Sequence, residues 1–430
     1  MYLNRMLSSI GLRIFNIENM NVFKTNRILF LVVLLGFCFS QTWQSTGLSS
    51  GKVYDLAEMS NGDILAYTAD GLYVSDDEGA NWTLTDLAPL GVDTWGIPVP
   101  NAQLIAVGSD DRVFVVEAHT ASSTDESFIY YSDDLINWYI ADIGETPYKI
   151  TSIAINPSNG DVYAGVSEGY QCTNCGIFRS TDNGETFTNV YEESEASNVD
   201  YNHWAFTSDG TIFVGNSSFE AGRTVLKSSN GTAWESAGTG LISYDQPVSL
   251  IVTSTDRIIV SLSNVNSSES LYASDDNGAS WSVLGDGSGP VQFQAGMVSD
   301  AGNTIYGFKY FSANNNADRQ LGHLSEDDGD TWAEIDETGY TKDSDHSPEC
   351  SLISSSQYIF LCTENSGVWR TAIPVAVPVV SGCTDVAACN YNADAEEDDG
   401  SCAYVEDCAG ECGGTAVEDC AGECGGTAVE

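Results

Sequence analysis

Ser75-Asp-Asp77-Glu-Gly79-Ala-Asn-Trp82 returns as Ser180-Thr-Asp182-Asn-Gly184-Glu-Thr-Phe187, then as Ser274-Asp-Asp276-Asn-Gly278-Ala-Ser-Trp281 and Ser325-Glu-Asp327-Asp-Gly329-Asp-Thr-Trp332. Two shorter copies stand among them, Ser132-Asp-Asp134-Leu-Ile-Asn-Trp138 and Ser228-Ser-Asn230-Gly231-Thr-Ala-Trp234. The opening serines step by 57, 48, 48, 46 and 51 residues, and a further step of 46 reaches Thr371, a degenerate seventh copy. Strand-like runs such as Gly71-Leu-Tyr-Val74 and Ser270-Leu-Tyr-Ala273 precede each copy, and another run follows. The chemistry is that of a hairpin turn. Asp accepts hydrogen bonds from the turn's own amides, and Gly supplies a positive φ. The aromatic leaves on the next strand and buries roughly 150–250 Å². Four strands per repeat fit a propeller blade, whereas leucine-rich solenoids repeat every 20–29 residues or so.

The pattern S-x-D-x-G-x-x-W resembles the Asp box of the bacterial neuraminidase repeat, found in sialidases, sortilin-type receptors and other secreted propellers. Four copies match in full and two are shortened, over residues 43–373. The resemblance implies an all-β fold, a seven-bladed β-propeller with Asp-box turns, with six blades as the runner-up. It places Asp77, Asp134, Asp182, Asn230, Asp276 and Asp327 on turns between outer strands, away from the ligand face, in a structural role. The seventh blade draws on Ser351–Thr363 and Val368–Thr371, and borrows its outermost strand from Gln41-Thr-Trp43-Gln-Ser45 at the other end of the propeller.

The 430 residues include 62 Asp plus Glu against 15 Lys plus Arg, a formal charge of −47. Such a chain repels nucleic acid and anionic membrane surfaces. At 42% hydrophobic it can bury a large core. Lys24 and Arg27 precede an apolar run from Ile28 to Phe39, and Ser40 follows. This reads as a secretory signal peptide over residues 1–40. Its 12 apolar residues span only about 18 Å at 1.5 Å each, too short to cross a membrane. Residues 41–430 then carry a charge of −50 and 11 of the 12 cysteines into an oxidising compartment, secreted or at the cell surface.

A sialidase needs three arginines on its substrate's carboxylate, and residues 41–430 hold six: Arg112, Arg179, Arg223, Arg257, Arg319 and Arg370. The family's early Arg-Ile-Pro signature is missing. His119, His203, His323 and His346 show no metal spacing, and no GxSxG or phosphate loop occurs. No residue is nominated as catalytic. The first reading is a non-enzymatic recognition propeller, monomeric, for a glycan or an extracellular protein or peptide. The alternatives are a glycoside hydrolase of sialidase-like type, whose two carboxylates leave no sequence signature, and, by fold analogy alone, an envelope assembly factor. Loops entering the innermost strands carry Trp95, Tyr148, Tyr201, His203, Trp204 and Tyr244, the candidate ligand residues.

Cys172 and Cys175 read as a local disulfide, and Cys350 and Cys362 flank a hairpin across which they pair. The propeller ends near residue 381. Residues 382–406 form a Cys-rich acidic module, and DCAGECGGTAVE then fills 407–418 and 419–430. From Gly382 onward there are seven cysteines, 13 acids and no Lys or Arg. The module resembles those of secreted Bacteroidetes proteins. Asp394, Asp398 and Asp399, bunched with Glu396 and Glu397 before Gly400, suit calcium. With too few apolar residues for a core, such a tail relies on disulfides or metal. The odd cysteine count and the tandem ending lead to an expectation of further repeats beyond Glu430, with a sorting signal like that of type IX secretion.

Overall fold

The computed structural model describes residues 42–48, 51–87, 103–117, 127–144, 149–167, 175–192, 200–216, 224–241, 246–263, 271–284, 293, 296–299, 304–309, 320–373, 381–392, 397–398, 400–419 and 421–427. The expected signal peptide lies outside them. Seven four-stranded antiparallel sheets follow one another, so the ring has seven blades and not six. Blade 3 is typical, with Lys149–Ile155 innermost, then Val162–Ser167, Gly176–Ser180 and Thr188–Glu192. Blade 7 takes Pro348–Ile353, Tyr358–Thr363 and Val368–Ala372, and Gln44–Ser45 pairs outside Val368–Ala372, with Gln44 opposite Arg370. The ring is thus closed by strands from both ends of the propeller, which removes a free edge.

Each repeated box joins the third strand of its blade to the fourth. In the box at Ser180, the hydroxyl accepts from the Gly184 amide at 2.9 Å and donates to Asp182 Oδ1 at 2.6 Å. Asp182 also accepts from Thr186 N at 2.9 Å and Thr186 Oγ1 at 2.6 Å. The boxes at Ser75, Ser274 and Ser325 repeat this network. Hydrogen bonds from Ser180 and Thr186 pull the Asp182 carboxyl down to about 2, and those from Ser280 and Ser274 do the same for Asp276. These carboxylates are occupied by their own turns.

The boxes also join neighbouring blades. A methyl group added to Gly184 would meet the Phe114 ring of blade 2 at 2.1 Å, and one on Gly231 would meet the Tyr163 hydroxyl of blade 3 at 2.0 Å. Gly278 faces Phe213 of blade 4 in the same way. Each of these rings is the second residue of its blade's second strand. The box of blade 2 has Leu135 in place of glycine, and blade 1 presents Leu65 at the equivalent position rather than a ring.

A second link is charged. Arg112 of blade 2 donates to Asn183 O at 2.9 Å, Arg179 of blade 3 to Asn230 O at 3.3 Å, Lys227 of blade 4 to Asn277 O at 3.1 Å, and Arg257 of blade 5 to Asp328 O at 2.9 Å. At four consecutive junctions, a cation of one blade therefore caps a box carbonyl of the next. Apolar side chains fill the space between blades, as where Tyr163, Trp204 and Trp234 meet with centroids 5.7 and 6.1 Å apart.

Beyond the propeller, Cys383–Cys402, Cys389–Cys412 and Cys408–Cys424 are disulfide-bonded. The second cysteine of each DCAGEC repeat is bonded to a cysteine of the unit before it. Asp407 accepts from the amides of Ala409, Glu411 and Ala416, and Asp419 from those of Ala421 and Glu423. None of the described residues from 400 to 427 is buried, so covalent bonds and Asp-centred turns order this region in place of a core.

Candidate functional site

In a four-stranded antiparallel blade, the first-to-second and third-to-fourth turns share one edge. The second-to-third connections and the links between blades share the other. The boxes therefore mark one face of the ring, and the links between blades enter at the opposite face, here the mouth; a central channel runs between the two, its wall reaching Phe206 and Pro157 at the box-bearing end. Innermost strands of all seven blades line that channel, a cavity of about 560 Å³ walled by Asp55, Gln103, Ile153, His203, Ser249, Met297 and Leu352 among others. Its size falls in the range of small-ligand pockets, and on its wall aliphatic side chains are interspersed with the polar groups of Asp55, Gln103, His203, Ser249 and Ser351.

Five innermost strands carry a register shift near their mouth end, at Tyr54, Thr151, His203, Val248 and Glu349. After three of these bulges the side chain reaches the next blade, Asp55 to Leu104, Ser152 to Tyr201 O and Ser249 to Met297 N, whereas Trp204 turns back to Ser152 of blade 3 and Cys350 is bonded to Cys362 in its own blade. Asp55 bridges blades 1 and 2: its carboxylate accepts from Leu56 N at 2.8 Å, Leu104 N at 2.7 Å and Ile105 N at 2.9 Å. Burial pushes Asp55 up to about 7, against the pull of those three amides. Gln103 reaches over blade 3, donating to Trp204 O at 3.3 Å and accepting from Trp204 N at 2.8 Å.

His203 stands apart from the other bulge residues. Nine non-glycine residues among those described have positive φ, and eight of them lie in turns. His203, with φ 59°, is inside a strand, buried and on the channel wall. A left-handed conformation costs an L-residue about 1–2 kcal/mol. Here it is held by the Gln103 clasp on Trp204 and by the Trp204 Nε1 hydrogen bond to Ser152 Oγ at 2.8 Å.

The other sequence candidates divide. Tyr201 and Trp204 are buried, 0% and 3% exposed, and pack between blades 3 and 4 rather than forming an open aromatic platform. Trp95, Tyr148 and Tyr244 lie outside the described residues, as do Cys172, Asp394 and Asp399. Cys175 is disulfide-bonded, and Cys350 and Cys362, opposite each other in blade 7, are bonded together. The backbone of Asp398 pairs with Gly382. Among the described residues no group of three or more His, Cys, Asp or Glu is arranged to hold a metal ion.

Sequence reasoning did not single out Lys52, Glu349 and Glu364, which meet at the mouth between blades 7 and 1, with Lys52 Nζ 3.5 Å from Glu349 and 2.9 Å from Glu364. The available signal was an acid at each of two strands' mouth ends, Pro348-Glu-Cys350 and Cys362-Thr-Glu364. Lys149 at the same face pairs with Asp200 at 2.9 Å.

No known family profile matches the chain, and no curated protein matches it. Solved structures do. YCF48 bound to D1 peptide aligns at 14% identity with a TM-score of 0.51, over 77% of this chain and 97% of that one. Virginiamycin B lyase from Staphylococcus aureus aligns at 13% identity and TM-score 0.54, over 77% and 99%. The GH74 enzyme of Niastella koreensis aligns at 14% identity and TM-score 0.53, over 77% of this chain and 53% of its own, about half that enzyme. At these identities the likeness is one of fold: the chain is a seven-bladed β-propeller.

Proposed function

We propose that the chain is an extracellular, non-enzymatic recognition propeller of the Asp-box type, residues 41–381. On this reading it follows a signal peptide of residues 1–40 and stands on a disulfide-stapled stalk of residues 382–406 and 407–430. The ligand is a neutral glycan or a neutral to basic protein segment, taken at the channel mouth by the loops carrying Trp95, Tyr148 and Tyr244, with His203 on the wall below. Calcium bound by Asp394, Asp398 and Asp399 would belong to the stalk and not to recognition.

One observation carries this reading, the placement of the cations. Arg112, Arg179 and Arg257 are held on the box-bearing face as links between blades, and Arg370 stacks 5.1 Å from the Tyr358 ring centroid. Only Arg223 and Arg319, outside the described residues, remain, which is too few for a three-arginine clamp on a sugar carboxylate. At the mouth, Lys52 and Lys149 are neutralised by acids. The disulfides support an oxidising compartment. YCF48, a structural neighbour, is bound to D1 peptide.

The Glu349–Glu364 pair favours a second reading, a glycoside hydrolase. Against it, the ammonium of Lys52 stands between the two carboxyls, 3.5 Å from Glu349 and 2.9 Å from Glu364, where a hydrolase needs room for the sugar and a water. A glycan and basic-peptide array probed with the secreted chain, with and without calcium, is expected to show calcium-independent binding of uncharged or cationic ligands without turnover. Release of reducing sugar that Glu349→Gln abolishes would establish the hydrolase instead.

A further inference from the structure

Blade 7 closes on blade 1 through a charged contact that has one negative charge too many. Lys52 enters the first strand of blade 1, and its ammonium lies between Glu364 and Glu349 of blade 7 at 2.9 and 3.5 Å. The Glu349 side chain is 4% exposed and that of Lys52 16%. Glu364 is 28% exposed, so it keeps some water, but the excess negative charge of two carboxylates on one ammonium falls on the nearly dry Glu349, and such a charge is relieved by taking up a proton. The described groups around the site supply no second cation. Tyr54 on the first strand of blade 1 faces Glu364, Asp70 lies beyond Tyr54, and Asp345 is hydrogen-bonded to Asn365, next to Glu364.

We propose that Lys52, Glu349 and Glu364 form a proton-operated clasp on the closing seam of the ring, shut while one proton is shared between the carboxyls and loosened when that proton leaves. Burial first, and then the hydrogen bond to Glu364, raises Glu349 well above the usual glutamate range. Burial alone would raise Glu364 too, but the hydrogen bonds from Glu349 and Lys52 outweigh it and keep Glu364 ionised. A carboxyl raised in the folded state contributes stability that is complete at low pH and is lost as pH rises through the folded value. The clasp therefore tightens in mild acid and loosens in alkali. The remaining seam contacts, the Gly367 N to Gly51 O bond at 3.2 Å and Ser355 on Glu58, stay in place, so the loosening is local to the mouth.

Hydrogen exchange on the full chain between pH 6 and 9, corrected for intrinsic rates, tests this. The strands Pro348–Ile353 and Tyr358–Thr363 are expected to lose about tenfold in protection for each pH unit from 6 up to the folded value of Glu349, and to level off above it. The strands Tyr201–Phe206 and Ile212–Asn216, across the ring, are expected to lose none. Glu349→Gln is expected to abolish the blade 7 loss, and this comparison separates the clasp from Asp55, which titrates on the neighbouring strand. Blade 7 protection that follows blade 4 at every pH, or a loss that persists in Glu349→Gln, overturns the proposal. If Glu349→Gln does not fold, carboxyl-carbon NMR of the unaltered chain decides. A glutamate titrating far above its ordinary range supports the clasp, and none doing so overturns it.

Discussion

Gly184→Ala is expected to destabilise the propeller by about 2–5 kcal/mol, while Gly62→Ala costs only about 1–2. Both glycines have positive φ, +80° and +90°. A left-handed alanine costs about 1–2 kcal/mol at either position. The difference is what the new methyl meets. At Gly62 nothing lies within 4 Å, whereas at Gly184 the methyl would sit 2.1 Å from Phe114 Cε1. Phe114 is fully buried and has nowhere to go, and overpacking of such a ring adds about 1–3 kcal/mol. Urea unfolding of the two variants beside the unaltered chain measures the gap. Equal losses would mean that these glycines matter only for backbone conformation, and that the contact between blades is soft.

Asp55→Ala is expected to cost about 3–5 kcal/mol, because it leaves the amides of Leu56, Leu104 and Ile105 without their acceptor at about 1–3 kcal/mol each. The pH dependence gives a second check. Asp55 is raised from 3.8 to about 7 by burial, so the folded chain holds a proton that the unfolded chain has released. Stability is then greatest below the ordinary carboxyl range, falls as pH rises through the interval up to about 7, and is level above it. Removing the carboxyl is expected to flatten that interval. A variant with the slope of the unaltered chain between pH 4 and 7 would assign the slope elsewhere.

The repeat was legible because its turns are made of residues that few other structures require. Six serines at near-constant spacing gave the blades, and the sixth step landed on Thr371, whose strand pairs with Gln44–Ser45 as the reading of the chain ends required. The site was less legible because a β-bulge writes little into the sequence. A regular strand would put Tyr201 and Trp204, three residues apart, on opposite faces. The shift at His203 resets that alternation and lets both rings pack between blades. Asp55 and Glu349 were hidden for a related reason. They read as ordinary acids among 62, and only the packing of blade on blade brings Asp55 onto the amides of blade 2 and buries Glu349. The box glycines were read for their φ alone, since the Phe114, Tyr163 and Phe213 rings they admit belong to a repeat about 50 residues or more earlier in the chain.

The disulfides of the C-terminal region bear on load. Pulled out straight, the 41 steps from Cys383 to Cys424 would reach about 140 Å at 3.3–3.6 Å per residue. The covalent path is far shorter: from Cys383 across to Cys402, along to Cys408, and across to Cys424. With spans of 4.7 and 5.5 Å between the bonded α-carbons, that path reaches only about 30 Å. A surface attachment through this segment would act as an inextensible strap, passing tension to the propeller without paying out chain, until a reductant opened the bridges and let it lengthen.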